Sequence, residues 1–328
     1  MNSWRTKISR ATSGSWANVR WLLVLGLLAC SPCAFRAAAA SCSPAPAGQV
    51  GWWPGDGSAN DIAGTNNGIL QGGATASGSG FIGSAFTFDG TNSYAQFPDS
   101  PVFHPSNLTI EAWVRFSGLD SQSSGGSPAG DQYIVFKQSS LSGNFEGFDL
   151  SKTRFGTTDV FRFLVASASG QEIEIDSVTP LTTNVWYHVA GVRSSNFMQI
   201  YFNGQLQGQT NVGFPQDYGT LPLFFGSSGQ SFWDHKLKGT LDEVSLYNRA
   251  LSSNEIAAIY AAGAAGKCKA INLTVQPQSQ TVIAGSSALF SVTAPKKIEL
   301  EAIKVPNNES PMTVTLSRLA ELGADSPG

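Results

Sequence analysis

The sequence predicts an all-β fold, a two-sheet antiparallel jelly-roll sandwich with one short helix after the last strand. Three observations predict it. Only 13% of the 328 residues are charged, whereas 35 are glycine and 11% are aromatic, a balance that suits short strands and tight turns better than charged amphipathic helices. From Gln49 to Tyr247 short apolar or alternating runs succeed one another, each bounded by turn residues. A helix signature follows them, at Ser252 to Gly263.

Residues 1–40 read as a signal peptide. Arg5, Lys7, Arg10 and Arg20 precede the apolar run Trp21–Ala29, and the small-residue stretch Ala37–Ala40 follows it. Cleavage after Ala40 would leave Ser41 first. The run is shorter than the roughly 20 residues a spanning helix needs, so no transmembrane anchor is expected in the mature chain. Lipid attachment at Cys30 is the alternative, and either route makes the protein secreted or cell-surface. Cys42 and Cys268 alone then remain of the four cysteines. In an oxidising compartment they are expected to form a disulfide, the alternative being two unpaired thiols.

The strands follow in order. Phe86 and Phe88 alternate before the turn Asp89-Gly90-Thr91-Asn92, and Tyr94 and Phe97 come after it, which predicts a hairpin. In Leu108–Phe116 the residues Leu108, Ile110, Ala112, Val114 and Phe116 form an apolar face against Thr109, Glu111, Trp113 and Arg115. Similar runs lie at Tyr133–Lys137, Gly147–Ser151, Val160–Ala166, Glu172–Asp176, Trp186–Arg193, Met198–Phe202, Leu221–Phe225 and Thr240–Tyr247. Asn203-Gly204 marks a two-residue hairpin, because both turn positions want positive φ. Ser252 opens a capping box with Glu255, and Ile256, Ile259 and Tyr260 give the helix one apolar face; the helix is expected to cover an edge of the sandwich. One domain is thus expected over 41–269. Residues 270–294 look like the opening of a bacterial immunoglobulin-like domain, truncated because such a sandwich needs about 100 residues. Residues 295–328 read as a disordered or aberrant tail.

An ordered set of motifs carries a resemblance: Gly51-Trp52-Trp53-Pro54-Gly55-Asp56-Gly57, Asn60-Asp61-Ile62-Ala63-Gly64, Phe88-Asp89-Gly90, Ile110-Glu111-Ala112-Trp113-Val114, Trp186-Tyr187-His188-Val189-Ala190, and Leu241-Asp242-Glu243-Val244 through Leu251. Together they resemble the laminin-G-like jelly-roll domains of the concanavalin-A-like lectin and glucanase superfamily. The resemblance implies the fold. It leaves function open, since that superfamily hosts carbohydrate binders, adhesion modules and glycosidases alike.

Composition excludes one class: a formal charge of −3 offers no basic surface for nucleic acid. Calcium is the cofactor the resemblance suggests. Asp242 shares a face with Val244 and Leu246, where an unpaired carboxylate is costly, and the resemblance places Asp56 and Asp61 near that strand; a structural calcium ion drawn from Asp56, Asp61 and Asp242 is expected, the alternative being that these acids cap turns. Asp89 with Asn92 is read as turn chemistry. For ligand binding the candidates are loop residues that could pack on a sugar ring and fix its hydroxyls, namely Trp233, Asp234 and His235, with Asp217 and Tyr218. The enzymatic hint is Glu172-Ile173-Glu174-Ile175-Asp176, whose acids share one strand face. Laminarinase-type relatives carry alternating acids, but in the order Glu, Asp, Glu, and a solvated hairpin arm explains the pattern here. The sequence is thus expected to encode a secreted non-catalytic module that binds carbohydrate or a matrix-like surface. A laminarinase-like hydrolase and a purely structural spacer are the alternatives.

Overall fold

A computed structural model of the chain describes residues 42–122, 130–139 and 143–269, with the backbone of 280–282, 287–288, 303–304 and 312–314. The expected signal peptide over 1–40, and Cys30, lie outside the described residues. So does most of 270–328. In that region Gln280–Val282 pairs with Met312–Val314, and Ser287–Ala288 with Ile303–Lys304. Residues expected as tail therefore supply strand partners to the segment expected to open an immunoglobulin-like domain.

Fifteen strands build the sandwich: β1 (Gln49–Trp53), β2 (Ile69–Gln71), β3 (Thr75–Ser79), β4 (Ser84–Asp89), β5 (Tyr94–Phe97), β6 (Leu108–Phe116), β7 (Gln132–Gln138), β8 (Gly147–Phe155), β9 (Thr158–Ala166), β10 (Glu172–Asp176), β11 (Tyr187–Arg193), β12 (Phe197–Phe202), β13 (Gln205–Asn211), β14 (Leu223–Phe225) and β15 (Lys238–Tyr247). One sheet runs β13-β12-β11-β6-β15-β4-β3, with β1 also paired to β15; the other runs β10-β9-β8-β7-β14-β5-β2. All their pairings are antiparallel. The expected all-β jelly-roll sandwich is the architecture found.

The core lies between the sheets, where period-two alternation sends Ile110, Ala112, Val114 and Phe116 of β6 against Phe148 and Leu150 of β8 and Phe161, Phe163 and Val165 of β9. Trp53 is its largest anchor, within 5.1–5.9 Å of the rings of Phe97, Phe103 and Phe225, with its indole N–H donated to the Asn66 carbonyl. The β12–β13 turn is as expected: Asn203 and Gly204 have φ of 48° and 75° between the paired Phe202 and Gln205.

The expected hairpin over Ser84–Phe97 does not form. β4 pairs with β15 and β3, whereas β5 pairs with β14 and β2 in the other sheet. The turn between them carries the chain across the sandwich, so Phe86 and Phe88 face the same core as Ala95 and Phe97, each from its own side. Asp89 holds that crossing by accepting from the amides of Thr91, Asn92 and Ser93 and from two hydroxyls. Alternation across a tight turn cannot tell a hairpin from a change of sheet.

The helix α1 (Ser253–Ala261), with the expected capping box at Ser252 and Glu255, packs on a face rather than an edge. Its Ile256 and Ile259 rest on Ala190, Val192, Tyr201 and Tyr247, on the outward side of the β6-containing sheet. The chain then closes on itself: Cys42 and Cys268 are disulfide-bonded, and Ser43 and Lys267 form a parallel bridge beside them. Lys267 enters the same outward face and donates to the fully buried Glu111, 2.6 Å away, whose other oxygen meets His188 at 3.1 Å. The β6 face that carries Thr109, Glu111 and Trp113 is therefore buried as well. Helix and strap thus cover part of the outward face of the β6-containing sheet.

Candidate functional site

The outward face of the β7-containing sheet is organised by register. Asp149 of β8 stands opposite Leu164 of β9, which stands opposite Glu174 of β10. The next row runs Tyr133, Ser151, Arg162 and Asp176, and the row on the other side ends Ala166 to Glu172. Cross-strand partners project to one side, so these side chains form one face. Toward β14 the face is apolar, with Tyr133, Phe136 and Phe224 packed together and Tyr94 beside them.

A loop after β14 makes the wall. Gly226 and Gly229 take φ of 78° and 63°, a left-handed geometry natural to glycine. Asp234 ties the loop down: it accepts from the Ser227 hydroxyl (2.6 Å) and the Ser228 amide (2.9 Å) and pairs with Lys236 at 2.7 Å. Trp233 and His235, on either side of it, line a groove of about 190 Å³ together with Tyr133, Phe145, Asp131, Asp149, Arg162, Glu172 and Glu174. His235 is 2% exposed, sits edge-on to Tyr133 at 4.9 Å, and has an Nδ1 with no hydrogen-bond partner. Burial lowers its pKa against the pull of Asp131 and Asp234, which keeps the imidazole neutral.

Trp233 is the telling residue. It is 44% exposed and has φ of 53°, and Phe145 across the groove has φ of 54°. Bulky residues rarely adopt that conformation, which costs of order 1 kcal/mol or more unless surroundings impose it, and such strain concentrates at ligand sites.

The polar side is equally specific. Arg162 donates to both oxygens of Asp176 (2.8 and 3.1 Å), pairs with Glu174 at 2.6 Å, and lies 5.3 Å over Phe155. Two of the three acids expected on β10 are thus held as ion-pair partners of one guanidinium, while Glu172 stays exposed. Asp149 is buried with the Ser151 hydroxyl donating to it at 2.7 Å. Burial raises its pKa to about 7, with Glu172 and Glu174 adding to burial and Ser151 and Arg162 opposing it.

The predicted site residues thus part company. Trp233 and His235 line the groove, together with the β10 acids read separately as a hairpin arm. Asp234 faces into its own loop. Tyr218 packs against the core, stacked on His104 at 5.1 Å and donating its hydroxyl to the Pro105 carbonyl, and Asp217 accepts from the Ala168 amide. An aromatic in a loop has no periodicity to reveal whether it faces in or out. Tyr133, Phe145, Asp149 and Arg162 were missed. The signal for Asp149 was present, since Phe148 and Leu150 alternate with Asp149 and Ser151.

The residues do not fit calcium. Asp61 is saturated by the amides of Trp52, Ala63, Gly64 and Asn66 and by the Asn66 side chain. Asp56 accepts from the Ser84 amide and pairs with Lys269 at 2.7 Å. Asp242 accepts from the Ile82 amide, and burial pushes its pKa to about 8. Its second oxygen is unpartnered, but among the described residues no three His, Cys, Asp or Glu side chains are placed to hold a metal ion. The turn-capping alternative describes Asp61 directly.

A laminin-G profile, described as concanavalin A-like lectin/glucanases superfamily, matches residues 89–257, just over half the chain. The chain belongs to that superfamily. Comparison with curated protein sequences gives no match. Among solved structures the superfamily member resembles domain 4 of AbnA, a GH43 extracellular arabinanase from Geobacillus stearothermophilus in complex with arabinotriose, at 16% identity and TM-score 0.48 over 64% of this chain and 96% of that one. It also resembles the binding domain of botulinum neurotoxin DC in complex with SialylT, at 12% identity and TM-score 0.49, covering 75% of this chain and 62% of the toxin domain. A SAP-like pentraxin from Limulus polyphemus gives 20% identity and TM-score 0.37, covering 47% of this chain and 69% of that one. No helix among the described residues is long and apolar enough to cross a membrane.

Proposed function

We propose that this superfamily member is an exported, non-catalytic module whose groove on the β7–β10 face binds carbohydrate. The strained, exposed Trp233 carries the reading. An indole that stays part-exposed beside Phe232 and His235 offers an apolar plane to a sugar ring's C–H face, and the acids Asp149 and Glu172 that line the same groove offer hydroxyl partners. Binding on a glycan array, lost in Trp233→Ala with the fold intact, is the expected result; unchanged binding in that variant would overturn the assignment. A structural spacer would bind no glycan at all.

A hydrolytic reading has one observation in its favour, the buried Asp149 with a pKa near 7 beside Glu172 and Glu174, since a raised carboxyl can act as a general acid. Against it, Glu174 and Asp176 are tied to Arg162. No release of reducing sugar is expected from glycans the groove binds; release that disappears in Glu172→Gln would restore the hydrolase.

A further inference from the structure

The balance of charge around the groove narrows what it can hold. Among the described residues four carboxylates line it (Asp131, Asp149, Glu172 and Glu174) against one guanidinium and no lysine. The guanidinium is committed, since Arg162 already serves Asp176 and Glu174. Asp131 is committed too, accepting from the Thr153 hydroxyl and the Arg154 amide. Asp149 has a hydroxyl as its hydrogen-bond partner, and Glu172 stands exposed beside it. On the opposite wall the buried His235 leaves Nδ1 unpaired, and the neighbouring Lys236 is committed to Asp234 at 2.7 Å.

Resting on the carbohydrate reading above, we propose that the groove selects glycans bearing a free amine, an amino sugar whose ammonium sits between Asp149 and Glu172 while its ring packs on Trp233. An ammonium supplies the cation these two acids lack and donates up to three hydrogen bonds in one place. A uronate, sulfate or sialic acid there would meet like charge in a half-enclosed site and be rejected. A neutral sugar keeps the stacking contact but leaves the acids paired only with hydroxyls.

The test is calorimetric titration of the whole protein near neutral pH, where Asp149 is partly ionised, with three oligosaccharides of equal length: a chitosan oligomer, its fully N-acetylated counterpart, and an oligogalacturonate. The amine form should bind about tenfold tighter than the acetylated form, a charge contact's contribution in a partly exposed site, and the acidic oligomer should not bind. The tenfold advantage should shrink with added salt and vanish in Glu172→Gln, read as the ratio of the two affinities within that variant. An acidic oligomer that binds as well as the amine, or an amine no better than its acetylated form, overturns the selectivity. Binding of other neutral glycans that is lost in Trp233→Ala, with none of these three bound, would leave the groove reading standing and sink this inference alone; absence of any glycan binding would remove both.

Discussion

Lys267→Met isolates the strap that seals the β6-containing sheet. The ammonium lies 2.6 Å from Glu111 and 5.0 Å over the Trp52 ring, and Glu111 has no exposure to water. Burial alone would push the Glu111 carboxyl up; Lys267, with His188, outweighs it and holds the pKa below the usual value. Removing one partner of such a buried pair leaves an uncompensated charge, which costs about 3–5 kcal/mol, whereas replacing both by apolar groups is often near neutral. Urea unfolding with the disulfide intact should therefore show Lys267→Met less stable by about 3–5 kcal/mol at neutral pH, and Lys267→Met with Glu111→Leu should recover much of it. The pH dependence follows from the same charge. A depressed carboxyl stabilises above its unfolded pKa, and that contribution is lost as pH falls through the carboxylate range. In the variant the carboxyl is no longer depressed, so its deficit should shrink on acidification toward about pH 4. A loss below about 1 kcal/mol, constant across that range, would refute the reasoning.

Other consequences are open to measurement. Trp233→Gly should melt above Trp233→Ala, by roughly the 1 kcal/mol that separates the two residues at positive φ, while both lose glycan binding; equal melting temperatures would mean the left-handed backbone is not strained. Asp149, raised to about 7 from 3.8, keeps a proton in the folded state that the unfolded chain has lost, so stability should fall as pH rises from about 4 to 7. Asp149→Asn should flatten that fall, and an unchanged slope would assign it to other groups. Cys42→Ser opens a loop of sequence separation 226 and should cost about 2–5 kcal/mol, read by denaturant titration; no loss would show the strap holding by Lys267 alone. Since no calcium shell is formed by Asp56, Asp61 and Asp242, the melting temperature should be the same in chelator and in added calcium.

Much of the fold was legible because jelly-roll strands announce themselves by alternation and turns. Leu108–Phe116, Asn203-Gly204 and the Ser252 capping box all stand where pattern placed them. What pattern could not supply was partnership. Asp89 to Tyr94 reads as a hairpin because a sheet crossing uses the same residues, and nothing in β6 announces that Lys267 will reach Glu111 from 156 residues away. The site divided in the same manner. Trp233 and His235 were visible as an aromatic-rich loop, and Glu172 and Glu174 as an acidic strand, but their meeting depends on two rows of register across β8, β9 and β10. Asp217 and Tyr218 do not line this groove and hydrogen-bond elsewhere, to the Ala168 amide and the Pro105 carbonyl. Asp61 of the calcium set is held by main-chain amides, which a sequence never lists by position.

The crosslink between Cys42 and Cys268 brings their Cα atoms within 4.9 Å, and this has a mechanical meaning. Tension applied between the flanking segments would run through a covalent bond at one spot and leave the strands behind it unstretched. The Trp233 groove, on the opposite sheet, would keep its shape on a pulled tether.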